Sequence, residues 1–94
     1  MLGIYAAVTR QTITGKPAAG WFPDERLSVT DALKAYTWGS AYVSFEENIK
    51  GTLVVGKLAD LTVLSKNILE CEPGDILKTV ADLTIVDGRV VFER

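Results

Sequence analysis

The segment that most resembles a site of chemistry begins at Gly51, because Gly51, Gly56 and Lys57 reproduce the start of the phosphate-loop pattern G-x-x-x-x-G-K-[ST]. In that motif a hydroxyl binds Mg²⁺, and a helix follows so that its N-terminal amides meet the phosphates. Here the next residue is Leu58, which has no hydroxyl, and the strand-like sequence ADLTVLS follows. The pattern therefore predicts a tight turn at residues 55–58, with Gly56 at positive φ and Asp60 accepting hydrogen bonds from local backbone amides.

The absence of histidine restricts the chemistry further, since the chain has no His and only one Cys. The usual general base near neutral pH is missing, and so is the commonest nitrogen ligand of zinc. A Ser-His-Asp site, a Cys-His site and a Cys/His zinc site within one chain are therefore excluded. We expect no catalytic residue, no metal ligand and no cofactor-binding residue in this chain.

A few side chains remain as candidates for binding. Arg10 and Trp21 are candidate substrate contacts in or beside a long loop. For Arg10 the alternative is an ion pair at the surface or at a helix end, and for Trp21 it is a packing anchor. Glu46-Glu47 is interpreted as the solvated end of a helix, and Cys71 lies between two acidic residues, which disfavours a reactive thiolate.

Size and composition indicate one small domain spanning residues 1–94, with a helical part at 1–47 and a β part at 48–94. Hydrophobic residues make up 48% of the chain, which is more apolar surface than so small a domain hides easily. The net charge of −2 without a basic block argues against nucleic-acid binding, and the apolar runs are too short for a membrane span. The single cysteine and the absence of a secretion signal favour a cytoplasmic location.

The helical part is predicted to contain three short helices and one long loop. A weak helical period covers residues 2–10, and three Gly/Pro-rich breaks make residues 11–26 a loop. Ser28 and Asp31 resemble a capping box at the start of a second helix. The apolar stripe then changes phase by two residues, which predicts a third helix capped by Thr37. We expect its aromatic residues, Trp38, Tyr42 and Phe45, to lie in the core.

The β part is predicted to form a small antiparallel sheet that ends in a hairpin. A short strand at GTL precedes the turn at Gly56, and ADLTVLS alternates as a strand. Asp87-Gly88 is a two-residue turn signal that pairs Val86 with Arg89 and places Asp82 opposite Glu93. The same register pairs Ile85 with Val90, Thr84 with Val91 and Leu83 with Phe92. Short helices followed by a small antiparallel sheet make the predicted fold class α+β.

Four stretches of the chain carry a resemblance to the amidohydrolase superfamily. The segment after the barrel, commonly I-G-S-L-x-P-G-K-x-A-D-L-v-v-l, is similar to IKGTLVVGKLADLTVLS here. The helices before it resemble RLSVTDALKAYTWGSAYVSFEENIKG, and the final hairpin, often T-x-V-x-G-x-x-V-y, resembles LTIVDGRVVFER. The residues LGIYAAVTRQT, GW and PDERLSV are similar to those of a subgroup of metal-dependent hydrolases related to N-substituted formamide deformylases. Val54-Val55 departs from the usual acid-Pro pair before the turn.

The resemblance implies a (β/α)₈ barrel with a metal centre, and a β-sandwich beside it. This sequence would correspond to the last barrel helices and part of the sandwich. The metal, a divalent ion such as zinc, would belong to the rest of the parent protein, because none of the family's histidine ligands occurs here. The motif residues of this chain are then structural turn residues, namely Gly56, Lys57, Asp60, Asp87 and Gly88.

Three functions remain open on the sequence. In the first, the chain is the C-terminal fragment or remnant of an amidohydrolase that acts on C–N bonds other than peptide bonds, and it is inert alone. Alternatively it is a free-standing module that self-associates, or a binder of small ligands in a groove around Trp21. We expect a homo-oligomer unless a barrel domain is its partner, with sheet edges open near Leu61 and Val90. The interface would include part of Val29, Leu33, Tyr36, Trp38 and Phe45.

Overall fold

A computed structural model describes all 94 residues, which divide into two compact units. The first unit combines residues 1–33 with residues 66–80, and the second combines residues 34–65 with residues 81–94. Short helices and one three-stranded antiparallel sheet confirm the predicted α+β class. Residues 66–80, which follow β1 in the part of the chain expected to be β, belong to the same unit as the N-terminal helix. No helix has the length and apolar character needed to span a membrane.

The first unit is built around its N-terminal helix, α1 (Leu2–Thr9), which the weak helical period predicted. A 3₁₀ turn follows at Pro23–Glu25, and the unit also holds the first residues of α2 (Val29–Lys34) and the short helix α4 (Pro73–Ile76). Its core consists of five buried apolar side chains, Ile4, Tyr5, Ala32, Ile68 and Ile76. This unit therefore encloses a small hydrophobic centre of its own.

Helix α2 begins where the sequence predicts. The backbone N–H of Asp31 donates to Ser28 Oγ at 3.0 Å, which satisfies one of the amide groups left free at a helix N-terminus. Ala32 is the buried residue of this helix, at 1% exposure.

The predicted third helix capped by Thr37 is wrong, because Thr37 lies inside a π-helical segment, Ala35–Gly39. That segment continues α2 and leads into α3 (Ser40–Val43). Lys34, Gly39 and Ser40 all keep right-handed helical dihedrals, so no capping residue interrupts the backbone. A π-helical turn takes more residues per turn than an α-turn, and so absorbs the phase change in the apolar stripe without ending the helix.

The expected aromatic core of this helix is also wrong. Phe45 is 92% exposed and Tyr42 56%, and Trp38 is 37% exposed while its ring stacks on Tyr42 at 5.0 Å between centroids. Ala41 is the one fully buried apolar residue of the second unit. The second unit thus leaves most of its large apolar side chains uncovered within this chain.

The sheet contains β1 (Leu61–Leu64), β2 (Ala81–Val86) and β3 (Arg89–Glu93) in the order β1-β2-β3. Strand β1 pairs antiparallel with β2, and β2 with β3, so β1 and β3 form the two edges. The expected strand at GTL is absent, because residues 51–60 form bends and a turn instead of pairing. Strand-like sequence therefore forms a strand in β1 and in the hairpin, where a partner strand exists, and not at GTL, which has no partner.

The hairpin register follows the prediction for two pairs and then departs from it. Val86 pairs with Arg89 and Ile85 with Val90, after which a β-bulge places Thr84 opposite Phe92 and Leu83 opposite Glu93. The extra residue in the bulged strand shifts every later pair by one. Asp82 consequently meets Arg94 rather than Glu93, with a backbone hydrogen bond of 2.9 Å and an ion pair of 2.6 Å.

Candidate functional site

The loop that carries the Gly-Lys motif forms a tight turn one residue earlier than expected. The backbone N–H of Lys57 donates to the carbonyl of Val54 at 3.1 Å, and Gly56 has a φ of 96° at the third position of this turn. Lys57 Nζ donates to the Glu47 carbonyl at 2.6 Å and to Thr52 Oγ1 at 2.8 Å. The lysine of the phosphate-loop-like pattern therefore holds its own loop together.

Asp60 acts at long range, contrary to the expectation that it would bind local amides. Its Oδ1 accepts a hydrogen bond of 2.8 Å from the backbone N–H of Asp87, 27 residues further along the chain. Beside it, the N–H of Gly88 donates to the carbonyl of Ala59 at 3.0 Å. These two bonds attach the hairpin turn to the segment before β1. The structure thereby joins two motifs that the sequence presents as separate signals.

The geometry offers no metal centre. Glu46 pairs with Lys50 at 3.2 Å, and the pair Glu46-Glu47 lies beyond the end of α3 at Val43. Both glutamates are half-buried, and Glu47 Oε2 is enclosed without a hydrogen-bond partner, so this acidic pair is not the solvated helix end that the sequence indicated. No group of three or more His, Cys, Asp or Glu side chains converges anywhere in the chain. With no histidine in the sequence, the residues present do not fit the divalent metal that the family resemblance implies.

The two candidate substrate contacts, Arg10 and Trp21, are brought together in the first unit. Arg10 ends α1 in the left-handed region with a φ of 58°. Its Nε donates to the Trp21 carbonyl at 2.9 Å, while the Trp21 N–H donates to the Arg10 carbonyl at 2.8 Å. The guanidinium carbon lies 5.0 Å from the centre of the Trp21 ring, within range of a cation–π interaction.

Within these 94 residues, neither side chain makes the contact that its alternative interpretation predicts. Trp21 is 61% exposed and meets Phe22 edge to face at 4.7 Å. Arg10 is at a helix end but forms none of the ion pairs of the chain.

Hydrogen bonds from a buried tyrosine order the loop after Arg10. Tyr5, in the core, shares its hydroxyl proton between the Thr12 carbonyl at 3.1 Å and Gln11 Oε1 at 3.2 Å. The side-chain nitrogen of Gln11, Nε2, donates to the Ala18 carbonyl at 2.8 Å. The backbone N–H of Thr12 donates to the Lys16 carbonyl at 2.9 Å, which closes a small turn. A loop without regular secondary structure is thus tied to the core at several points.

Residues of this loop and of α1 line an open groove of about 440 Å³. Its apolar surface comes from Ala6, Pro17 and Trp21, and two cations, Arg10 and Lys16, also line it. Lys16 and Pro17 were not among the residues predicted to bind a ligand, although both lie in the long loop at residues 11–26.

Comparison with known proteins finds relatives over nearly the whole length of this chain. The family model described as the amidohydrolase family matches residues 1–92. The N-substituted formamide deformylase of Arthrobacter pascens is 33% identical over 91 residues, which are 97% of this chain and 16% of that protein. YtcJ of Bacillus subtilis, described as an amidohydrolase, is 32% identical over 94 residues, which are 100% of this chain and 18% of that protein.

Two further relatives match shorter parts. Protein LONG AFTER FAR-RED 3 of Arabidopsis thaliana is 39% identical over 72 residues, covering 77% of this chain and 12% of that protein. The crystal structure of an amidohydrolase from Thermotoga maritima superposes with a TM-score of 0.56 at 36% identity, covering 68% of this chain and 15% of that one. The chain therefore spans less than a fifth of the length of each relative.

Proposed function

Because the chain belongs to the amidohydrolase family, as its C-terminal segment, we propose that it serves a metal-dependent hydrolase of C–N bonds other than peptide bonds. The observation that carries the proposal is the family match over residues 1–92 in a chain that spans only 16% and 18% of two hydrolase-type relatives. N-substituted formamides are the first substrate class to test, since one of these relatives is named for them.

The contribution of this chain to that hydrolase is structural. Its residues do not fit the metal, so the groups that hold the ion and the attacking water belong to the rest of the enzyme. A divalent ion of this kind supplies an activated water when bound. The residues described here supply the helices, the sheet and the clip between Asp60 and Asp87.

The surface of the second unit supports this role. Its helix and loops expose large apolar side chains, and Phe45 and Val55 are almost completely uncovered within this chain. Large apolar side chains that a protein leaves in water often mark an interface. A barrel domain of the same polypeptide is the proposed cover for this surface.

An immunoblot tests whether the chain works as part of a larger enzyme. An antibody against residues 81–94, applied to an extract of the source organism, is expected to detect a band several times larger than 10.2 kDa. The protein of that larger size, once purified, should release formate or another acid from a panel of N-substituted amides. Removal of its metal ion by a chelator should abolish that release. A single band at 10.2 kDa, or no hydrolysis of any member of the panel, would contradict the proposal.

Self-association is the second candidate function, and the sheet edges favour it. Strand β3 lies at one edge, and all five of its residues are exposed. An exposed edge can pair with a second copy of the chain. Sedimentation of the isolated chain at low micromolar concentration should then give a dimer or larger species. A clean 10.2 kDa species that unfolds cooperatively would rule out this alternative.

A further inference from the structure

The groove beside α1 has a one-sided charge. The two cationic residues that line it are Arg10 and Lys16, and no acidic residue lines it. The three ion pairs of the chain involve Lys50, Lys78 and Arg94, so neither cation of the groove is neutralised by a carboxylate. A concave surface lined by charges of one sign attracts ligands of the opposite sign. An anion is the ligand that this charge selects.

Arg10 is already held in the position that such a ligand requires. Its Nε is engaged with the Trp21 carbonyl at 2.9 Å, and its backbone is fixed at the end of α1 by a hydrogen bond of 2.8 Å to Ala6. The two terminal nitrogens of the guanidinium have no hydrogen-bond partner within the chain. Two parallel N–H groups match the two oxygens of a carboxylate. An arginine ordered in advance loses less side-chain entropy on binding.

The rest of the groove is apolar and includes a flat surface. Trp21 is 61% exposed, and Ala6 and Pro17 line the groove with it. An indole exposed to this extent can bury a planar apolar group against its uncovered area. An inorganic anion would leave this area in water. The combination of charge and apolar area selects a ligand that carries both.

We propose that the groove formed by Arg10, Lys16 and Trp21 binds a small organic anion, a carboxylate on a flat apolar body. The proposal goes beyond the hydrolase assignment and does not depend on it, because every group involved belongs to this chain and to its first unit. Benzoate is the probe, since it combines the two features. Benzamide keeps the shape without the charge, and acetate keeps the charge without the apolar body.

Nuclear magnetic resonance of the ¹⁵N-labelled chain provides the measurement. Titration with benzoate should shift the indole N–H signal of Trp21 in a saturable manner, while the indole signal of Trp38, in the other unit, stays in place. Benzamide and acetate should each bind at least about fivefold more weakly than benzoate. Equal binding of benzamide and benzoate, or no shift at Trp21, would overturn the proposal.

Charge variants then assign the cations. Lys16→Gln should weaken benzoate binding about threefold or more, and Arg10→Gln should weaken it further because the two-point contact is lost. Lys66→Gln, at an exposed lysine outside the groove, is the matched control and should leave the affinity unchanged. Lys16 is exposed, so its substitution leaves the fold intact and remains informative even if Arg10→Gln unfolds the chain. Equal losses in Lys16→Gln and Lys66→Gln would reduce the effect to net charge and contradict the proposed site.

Discussion

In the loop around Gly56, the charged side chains of the motif have partners within the chain, whereas in the loop after Arg10 two cations face a groove without a carboxylate. Lys57 Nζ donates to a backbone carbonyl at 2.6 Å, and Asp60 Oδ1 accepts from a backbone N–H at 2.8 Å. Lys16 has no such contact, and the guanidinium of Arg10 is only partly engaged. The difference teaches that a charged residue in a glycine-rich loop is informative about ligands only when its hydrogen-bonding capacity remains unused.

The largest expected effect tests whether the loop before Gly56 is a packed structural element. Gly51 has a φ of 101°, and a Cβ there would lie 2.9 Å from the Ala41 Cβ and 3.1 Å from the Trp38 Cα. Gly51→Ala should therefore lower the free energy of unfolding by about 2–4 kcal/mol, from left-handed strain and overpacking together. Urea unfolding gives the measurement. Gly74→Ala, where a Cβ meets nothing within 4 Å, is the control and should not destabilise the chain.

The contrast between the two lysines gives the second prediction. Lys57→Met removes two hydrogen bonds of a charged donor and should cost about 1.5–3 kcal/mol of stability. Lys16→Met removes no side-chain hydrogen bond or ion pair and should change the unfolding free energy by less than about 0.5 kcal/mol. Similar losses in both variants, measured by urea unfolding, would show that the two loops do not differ in the way described.

The hairpin turn gives a smaller effect, because strain acts there without a clash. Asp87 and Gly88 have φ values of 49° and 75°, the positive pair that a type I′ turn requires, and a Cβ on Gly88 meets nothing within 4 Å. Gly88→Val should destabilise the chain by about 1 kcal/mol or more, from β-branched strain alone. Asp87→Asn tolerates the same dihedrals and should leave the melting midpoint unchanged. An unchanged midpoint in Gly88→Val would count against the turn geometry.

The smallest effect tests the bulge. Arg94→Gln should lower stability by less than about 1 kcal/mol at low salt, and by nothing measurable in 1 M salt, because the Arg94 side chain in its ion pair with Asp82 is 59% exposed. Glu93→Gln should have no effect, since the bulge places Glu93 opposite Leu83. If Glu93→Gln instead stabilised the chain at low salt, Glu93 would face Asp82 and the register would have no bulge.

Local signals in the sequence were sufficient for several elements. The period over residues 2–10, the capping serine and the Asp-Gly turn each lie within a few residues, and each predicted its element correctly. The family resemblance rested on several such signals in order along the chain. The groove was only partly foreseen, since Arg10 and Trp21 were named while Lys16 and Pro17 were not.

The failures share a dependence on distant residues. GTL has the composition of a strand but finds no partner, and Trp38, Tyr42 and Phe45 follow an apolar period on a helix face that the chain does not cover. Periodicity reports which residues prefer burial, and it cannot report whether a surface is available to bury them.

The sequence by itself determined the family, the α+β class, the start of α2 and the hairpin turn, because each depends on neighbouring residues and their backbone preferences. Only the tertiary structure decided that Asp60 binds the N–H of Asp87, that a bulge brings Arg94 to Asp82, and that Arg10 meets Trp21. These contacts join residues 11 to 27 positions apart. Their partners are chosen by how the loops close in space, and no local pattern records that choice.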